Sequence, residues 1–279
     1  MAQQENNAYI LGTDDAELKR LGLQHQVWAS ETRRGWESAN FTAGQTLLDL
    51  GCGPGYTTQD MAYIVGNRGK VIAVDKSEKY INLLSEVTAT HQLNIEFQNC
   101  DFDDMILQDN SIDGIYHRWA LAWIDNVPSI IRKLINAMKI GAKIVSHEYY
   151  DWNTLQVSVP AAHWNRGRDA ALRSFIKENG DINIGRHLPR LFTEAGLVLR
   201  SIRPMVKIAT PSDFTWQWPE SFFGIYMPKL AEAGLLTEQE AEDAVLEFKS
   251  LKNLPGTTLM SPSMIEVIAE KVSLSLNGN

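Results

Sequence analysis

The stretch TLLDLGCGPGYTTQDMAYIVG, residues 46–66, decides how the chain is read. A short apolar run, TLLDL, meets glycines at alternate positions, Gly51, Gly53 and Gly55, and a helical pattern, YTTQDMAYIV, begins directly after them. Glycine tolerates left-handed backbone and lets a ligand approach the main chain closely. A strand, a glycine turn and a helix in succession therefore predict a ligand-binding connection at the carboxyl end of a β-strand. In a dinucleotide fingerprint, G-x-G-x-x-G, the third glycine allows close packing of helix on strand. Tyr56 stands at that place here. Asp49, two residues before Gly51, adds a carboxylate that disfavours a diphosphate and suits a cationic ligand.

Outward from this stretch, apolar runs alternate with amphipathic ones. KVIAVD (70–75), NIEFQNCD (94–101), SIDGIYHR (111–118) and AKIVSHEYY (142–150) read as strands, with helices over 78–92 and 129–139. Such alternation predicts an α/β fold, a largely parallel sheet with right-handed crossovers and helices on both faces. Before it, residues 14–30 read as a helix that Asp14 caps. After it, helices are expected over 160–178 and 187–197, the latter ending at Gly196, and a strand over 197–209. Residues 210–256 are mostly helical in pattern, and 258–272 is ambiguous between a final strand and a helix. The expected organisation is an N-terminal helical cap (1–40), a ligand-binding core (41–209 and 257–273) and a helical insertion (210–256) before the last strand.

Composition narrows the function. Among 279 residues, 26 Lys and Arg face 34 Asp and Glu, a net charge of −8, which argues against nucleic acid and anionic membrane as partners. Cys52 and Cys100 have neither zinc-site nor disulfide spacing, so a reducing compartment is expected. The polar start, MAQQENNAY, has no apolar core of a leader, and no apolar run approaches the roughly 18 residues of a membrane span. A cytoplasmic location follows as the expectation.

The strand ends carry the chemistry. Asp75 ends the second strand, 24 residues beyond Gly51, where an acidic side chain accepts hydrogen bonds from ribose hydroxyls in doubly wound folds. Asp101 and Phe102 end the third, a place for a carboxylate on an adenine amino group and a ring over the base. A nucleoside without phosphate fits these turns best.

DLGCGPG, VIAVD, CDFDD and IDGIYHRWALAWIDN together resemble the first, ribose-acid, adenine-turn and post-strand-four motifs of class I S-adenosylmethionine-dependent methyltransferases. YILG, ELKRLGLQ, HRW, HEYYDW, GRHLPRLFTEAGL and WQWP are similar to a bacterial group of small-molecule methyltransferases related to the ubiquinone and menaquinone methylases. The resemblance implies a Rossmann-like seven-stranded sheet, S-adenosylmethionine as cofactor and S-adenosylhomocysteine as product. It further implies that Gly51, Gly53 and Gly55 approach the cofactor, that Asp49 sits near its amino end, that Asp75 and the adjacent Lys76 lie at the ribose and Asp101 and Phe102 at adenine. His117 and Arg118 would lie beside the methionine portion, and Arg20 and Gln24, four apart on one helix face, would close over its carboxylate.

Displacement from a sulfonium needs mainly alignment, with reacting atoms at about 3–3.5 Å. A general base helps where the acceptor must lose a proton, and His147, Glu148 and Tyr149 are the candidates, with a structural role as the competing reading. Trp216, Trp218, Phe222 and Phe223 either roof an acceptor pocket or pack the insertion; Trp119 and Trp123 read as core. The expected partner is a small, planar or apolar methyl acceptor taking the methyl on O, N or C, in a monomer or homodimer, without metal and without nucleic acid. A non-catalytic cofactor-binding protein and a nicotinamide-dependent oxidoreductase stay as alternatives.

Overall fold

A computed structural model describes residues 13–177 and 180–273; YILG at 9–12 and the start of the expected cap lie outside them. The described residues divide into two compact units, one of residues 28–156, 175–177, 180–207 and 260–273, the other of 13–27, 157–174 and 208–259.

In chain order the elements are α1 (Asp15–Ala39), β1 (Thr46–Leu50), α2 (Tyr56–Val65), β2 (Lys70–Asp75), α3 (Glu78–His91), β3 (Ile95–Asn99), β4 (Ile112–Arg118), α4 (Val127–Ala137) and β5 (Met138–Asp151). They continue with α5 (Ala162–Lys177), α6 (Leu188–Glu194), β6 (Val198–Met205), α7 (Gln217–Glu232), α8 (Glu238–Ser250) and β7 (Ser263–Glu270). Three two-residue strands stand where the chain passes between the units, at 156–157, 208–209 and 259–260.

The larger unit is built on a seven-stranded sheet of order β3-β2-β1-β4-β5-β7-β6. β1 to β5 run parallel, and β7 lies antiparallel to both β5 and β6. The side-chain period of a strand sends neighbours to opposite faces. Leu48 and Leu50 thus join Ile115, Ile144 and Val267 under α4 and α6, while Leu47 joins Val71, Tyr116 and Val145 under Trp36 of α1 and Met61 and Val65 of α2. Each side of the sheet is covered, which is why the strands read as near-continuous apolar runs. The ambiguous segment near the end is the strand β7, where Ile265, Val267 and Ile268 favour extended backbone and neighbours flank both edges.

α1 extends beyond its predicted end at residue 30 to Ala39, where Asn40 turns left-handed (φ 61°) and Phe41 N–H bonds Trp36 O at 2.9 Å. Asp14 caps it as expected, accepting Glu17 N–H at 2.9 Å. In the smaller unit, α5, α7 and α8 enclose an aromatic core: Trp216 stacks on Phe248 at 5.2 Å, and Trp164 meets Phe223 at 5.4 Å and Phe248 at 5.6 Å. Thr237 and Glu240 form a reciprocal cap that starts α8. Among the described residues no helix is long and apolar enough to cross a membrane.

Candidate functional site

The carboxyl ends of β1, β2, β3 and β4 converge. Gly51 and Cys52 N–H both bond Val74 O, at 2.9 and 3.0 Å, which ties the glycine turn to β2. Asp75 then receives Gly53 N–H on Oδ2 and Ser77 N–H on Oδ1, each at 2.8 Å, and its carbonyl takes Cys100 N–H at 3.2 Å. Burial raises the Asp75 pKa, opposed by those two amides. A Cβ built on Gly51 would lie 2.8 Å from Ala120 Cβ and 3.4 Å from Phe102 Cζ, so the turns after β3 and β4 close on the first glycine. At Gly53 the same test meets nothing within 4 Å, and its φ of 52° bares the main chain to open space. Gly55 is different: its Cβ would strike Leu84 Cδ1 at 2.2 Å, so this glycine serves helix packing. Asp101 and Lys76 are exposed at the rim.

Asp49 faces inward, buried, with Oδ2 accepting from Thr57 and Thr58 hydroxyls at 2.8 and 2.7 Å, so it fixes the first turn of α2. Burial raises its pKa against those two bonds, and Arg118 opposes the rise.

Two buried polar groups lie below the crevice, one on each face of the sheet. On the first face, His117 Nδ1 bonds Glu148 Oε1 at 3.0 Å and its Nε2 meets the Ser146 hydroxyl. The same Oε1 accepts Ala120 and Leu121 N–H, both at 3.0 Å, and Oε2 has no partner. On the other face, Thr32, Tyr116, His147, Glu266, Arg203 and Glu31 form a chain. Tyr116 Oη lies 3.2 Å from Thr32 Oγ1 and 3.3 Å from His147 Nδ1, and His147 Nε2 meets Glu266 Oε2 at 2.9 Å. Arg203 grips Glu266 with Nε at 3.0 Å and Nη2 at 3.1 Å, and donates to Glu31 at 2.6 Å. Burial lowers the His147 pKa against its bond to Glu266. Burial works to raise Glu266, but the bonds from His147 and Arg203 outweigh it and bring the carboxyl to about 2. Arg118, half-buried, donates to Thr32 Oγ1 at 3.0 Å and lies over the Trp119 ring. His147 and Glu148 both have 0% exposed surface, and Tyr149 stacks on Trp119 at 5.3 Å.

The remaining predicted residues belong to the smaller unit. Arg20 makes a paired contact with Glu17, Nε and Nη2 at 2.7 Å each, and donates to Gln24 Oε1 at 2.8 Å. Gln24 Oε1 also accepts from Trp218 Nε1 at 3.0 Å. Trp216, Trp218 and Phe223 are buried, whereas Phe222 is half-buried and lies under the Arg20 guanidinium.

Residues 41–196 match the methyltransferase domain family. The chain belongs to that family. As a methyltransferase-domain protein it carries the class I sheet order, with the antiparallel last strand set between β5 and β6. It is 25% identical over 146 residues to the demethylmenaquinone methyltransferase of Desulfitobacterium hafniense, 50% of this chain and 58% of that one. To the demethylmenaquinone methyltransferase of Symbiobacterium thermophilum it is 24% identical over 221 residues, 70% and 87% of the two chains. The crystal structure of the YcgJ protein of Bacillus subtilis shares the fold, with a TM-score of 0.57 at 14% identity, covering 89% of this chain and 99% of that one. This methyltransferase-domain chain spans about half the length of several curated relatives it matches, 53%, 58% and 52%.

The residues present fit the nucleoside cofactor that the family implies. Gly53 leaves room over bare backbone, the Asp75 carboxylate stands beside it, and Phe102 and Asp101 follow on the next turn. Sequence reading missed Glu31, Thr32, Arg203 and Glu266, which come from three widely separated segments of the chain. The one signal was the polar trio Ser146, His147 and Glu148 directly after the apolar pair Ile144 and Val145 of β5. Among the described residues no group of three or more His, Cys, Asp or Glu is placed to hold a metal ion.

Proposed function

We propose that the chain catalyses S-adenosylmethionine-dependent methyl transfer to an O, N or C atom of a small, planar or apolar metabolite. The observation that carries this reading is the meeting of Gly53, Asp75 and the Phe102 turn around one open stretch of backbone. When bound, the cofactor supplies a methyl group already activated on a sulfonium. The protein's work is then to orient and to exclude water.

In this reading Asp75 accepts the ribose hydroxyls. Each of its oxygens has given one lone pair to an amide and keeps another. Lys76 flanks the ribose, Phe102 covers the adenine and Asp101 accepts from its amino group. Gly51 and Gly53 admit the cofactor to the main chain. Asp49 acts by holding the first turn of α2, and Arg118, braced by Thr32, presents a cation at the crevice edge for a carboxylate. His147 and Glu148 are fully enclosed and bonded within the sheet, so orientation rather than a side-chain base is taken as the source of rate. The names of the menaquinone-pathway relatives support a planar, apolar acceptor.

The test is calorimetry with S-adenosylhomocysteine, followed by incubation with methyl-labelled S-adenosylmethionine and a panel of phenols, quinols, amines and activated carbon acids, read by mass spectrometry. One-to-one binding and a product heavier by one methyl group are expected. Absence of binding refutes the proposal, and binding without product across the panel favours a non-catalytic binder.

A further inference from the structure

We propose that Glu148 is a positioning residue that sets one wall of the cofactor crevice by holding the turn after β4 against Gly51. The inference rests on the crevice reading above and deepens it.

A carboxylate removed from water is costly unless it is well bonded. Glu148 has 0% exposed surface, and among the described residues none of its hydrogen bonds comes from Lys or Arg. Instead a single oxygen, Oε1, gathers three donors: the His117 imidazole and the amides of Ala120 and Leu121. Oε1 already accepts the two amide N–H groups, so it meets the His117 ring at Nδ1 as a third partner, while His117 Nε2 is bonded to the Ser146 hydroxyl. Ser146, His117 and Glu148 form a cassette that ends on two backbone amides.

Those amides belong to a turn that needs holding. Trp119 sits at φ 54°, a left-handed conformation uncommon for a bulky residue, and its own N–H is fixed by His147 O at 3.0 Å. Directly after it comes Ala120, whose methyl occupies the space beside Gly51. Glu148 therefore determines how closely the β4 turn approaches the first glycine, and so the width available to a ligand lying on the glycine turn. The bond-free Oε2 fits this role, since one oxygen does all the gathering.

Glu148→Gln tests it. The amide keeps the shape but puts an NH2 group in place of one oxygen and leaves a single carbonyl to accept, which weakens the bonds to Ala120 and Leu121. We expect faster hydrogen exchange at the Ala120 and Leu121 amides, and a dissociation constant for S-adenosylhomocysteine raised about tenfold at unchanged stoichiometry, roughly the loss of one such bond. A merely structural role would lower the stoichiometry through unfolded protein and leave the dissociation constant as it was. Exchange and affinity both equal to the parent's would overturn the proposal. If E148Q does not fold, Ser146→Ala carries the same two readouts through loss of the hydroxyl that holds His117; unaltered exchange there also overturns it. A parent that does not bind S-adenosylhomocysteine refutes the proposed function, while the exchange measurement still decides the role of Glu148 in the turn.

Discussion

In the proposed site, Asp75 is the residue on which ligand affinity is expected to turn. Both of its oxygens are held by amides from opposite sides, Gly53 and Ser77, so the carboxylate is aimed before any ligand arrives. Preorganised, charged acceptors contribute about 1.5–3 kcal/mol per hydrogen bond. Asp75→Ala is expected to raise the dissociation constant for S-adenosylhomocysteine by about tenfold or more in calorimetry, consistent with that range; an unaltered constant would remove Asp75 from the site. The glycines separate by the same logic. Gly53→Ala adds a methyl to open space at φ 52°, with a conformational penalty of about 1–2 kcal/mol, and should reduce affinity more than stability. Gly55→Ala drives a methyl into Leu84 and should lower the melting temperature first, overpacking being worth about 1–3 kcal/mol. Melting curves and titrations on both variants check this, and the reverse ranking would contradict it.

At the level of elements, the turn after β3 depends on a helix on the other side of it. Lys133 of α4 donates to Phe102 O at 3.4 Å, Met105 O at 3.2 Å and Asp103 O, so one ammonium gathers three carbonyls of the turn that bears Phe102. Lys133→Met keeps the aliphatic stem and removes the donors. It should destabilise the protein by about 1–3 kcal/mol in denaturant titrations and weaken binding of adenosine and of S-adenosylhomocysteine alike; loss for only one of the two would separate Lys133 from the turn proposed to hold adenine. Such a role is invisible in the sequence, where Lys133 sits on the polar side of an amphipathic pattern, IIRKLINA. What was legible was local. DLGCGPG announces a strand, a left-handed turn and a helix within a few residues, and VIAVD places an acid at a strand end. Glu266 was not legible, because SMIEVIAE is open between strand and helix and a lone acid within it names no partner. Only the insertion of β7 between β5 and β6, with α1 above, turns that position into the interior. The end of α1 was obscured similarly: Gly35 looks like an interruption, yet the helix passes through it.

Over the molecule as a whole, the buried chain from Thr32 to Glu266 makes stability depend on pH. His147 has its pKa lowered from 6.5, so its folded ring favours the neutral form. That contribution is complete above pH 6.5 and is lost as pH falls through the lower folded value. Glu266 falls from 4.5 to about 2, so its contribution is complete above pH 4.5 and disappears as pH drops toward 2. Asp49 and Asp75, raised by burial, act in the opposite sense in acid and soften the second limb. The melting temperature should therefore decline from pH 7 toward pH 5 and again below 4.5, and His147→Gln should flatten the first decline. A curve level from pH 7 to 4 in the parent would count against the pairing.

The course of α1 over this chain has one more implication. A Cβ at position 35 would fall 2.7 Å from Glu266 Oε2 and 3.2 Å from His147 Nε2. The helix thus has a notch at Gly35, and the acid fits beneath it. Were α1 to slip by one position, Arg34 or Trp36 would ride over the carboxylate, one bringing a competing cation and the other an indole with no room. A missing side chain acts as a detent that locks a helix of 25 residues in rotation and in height.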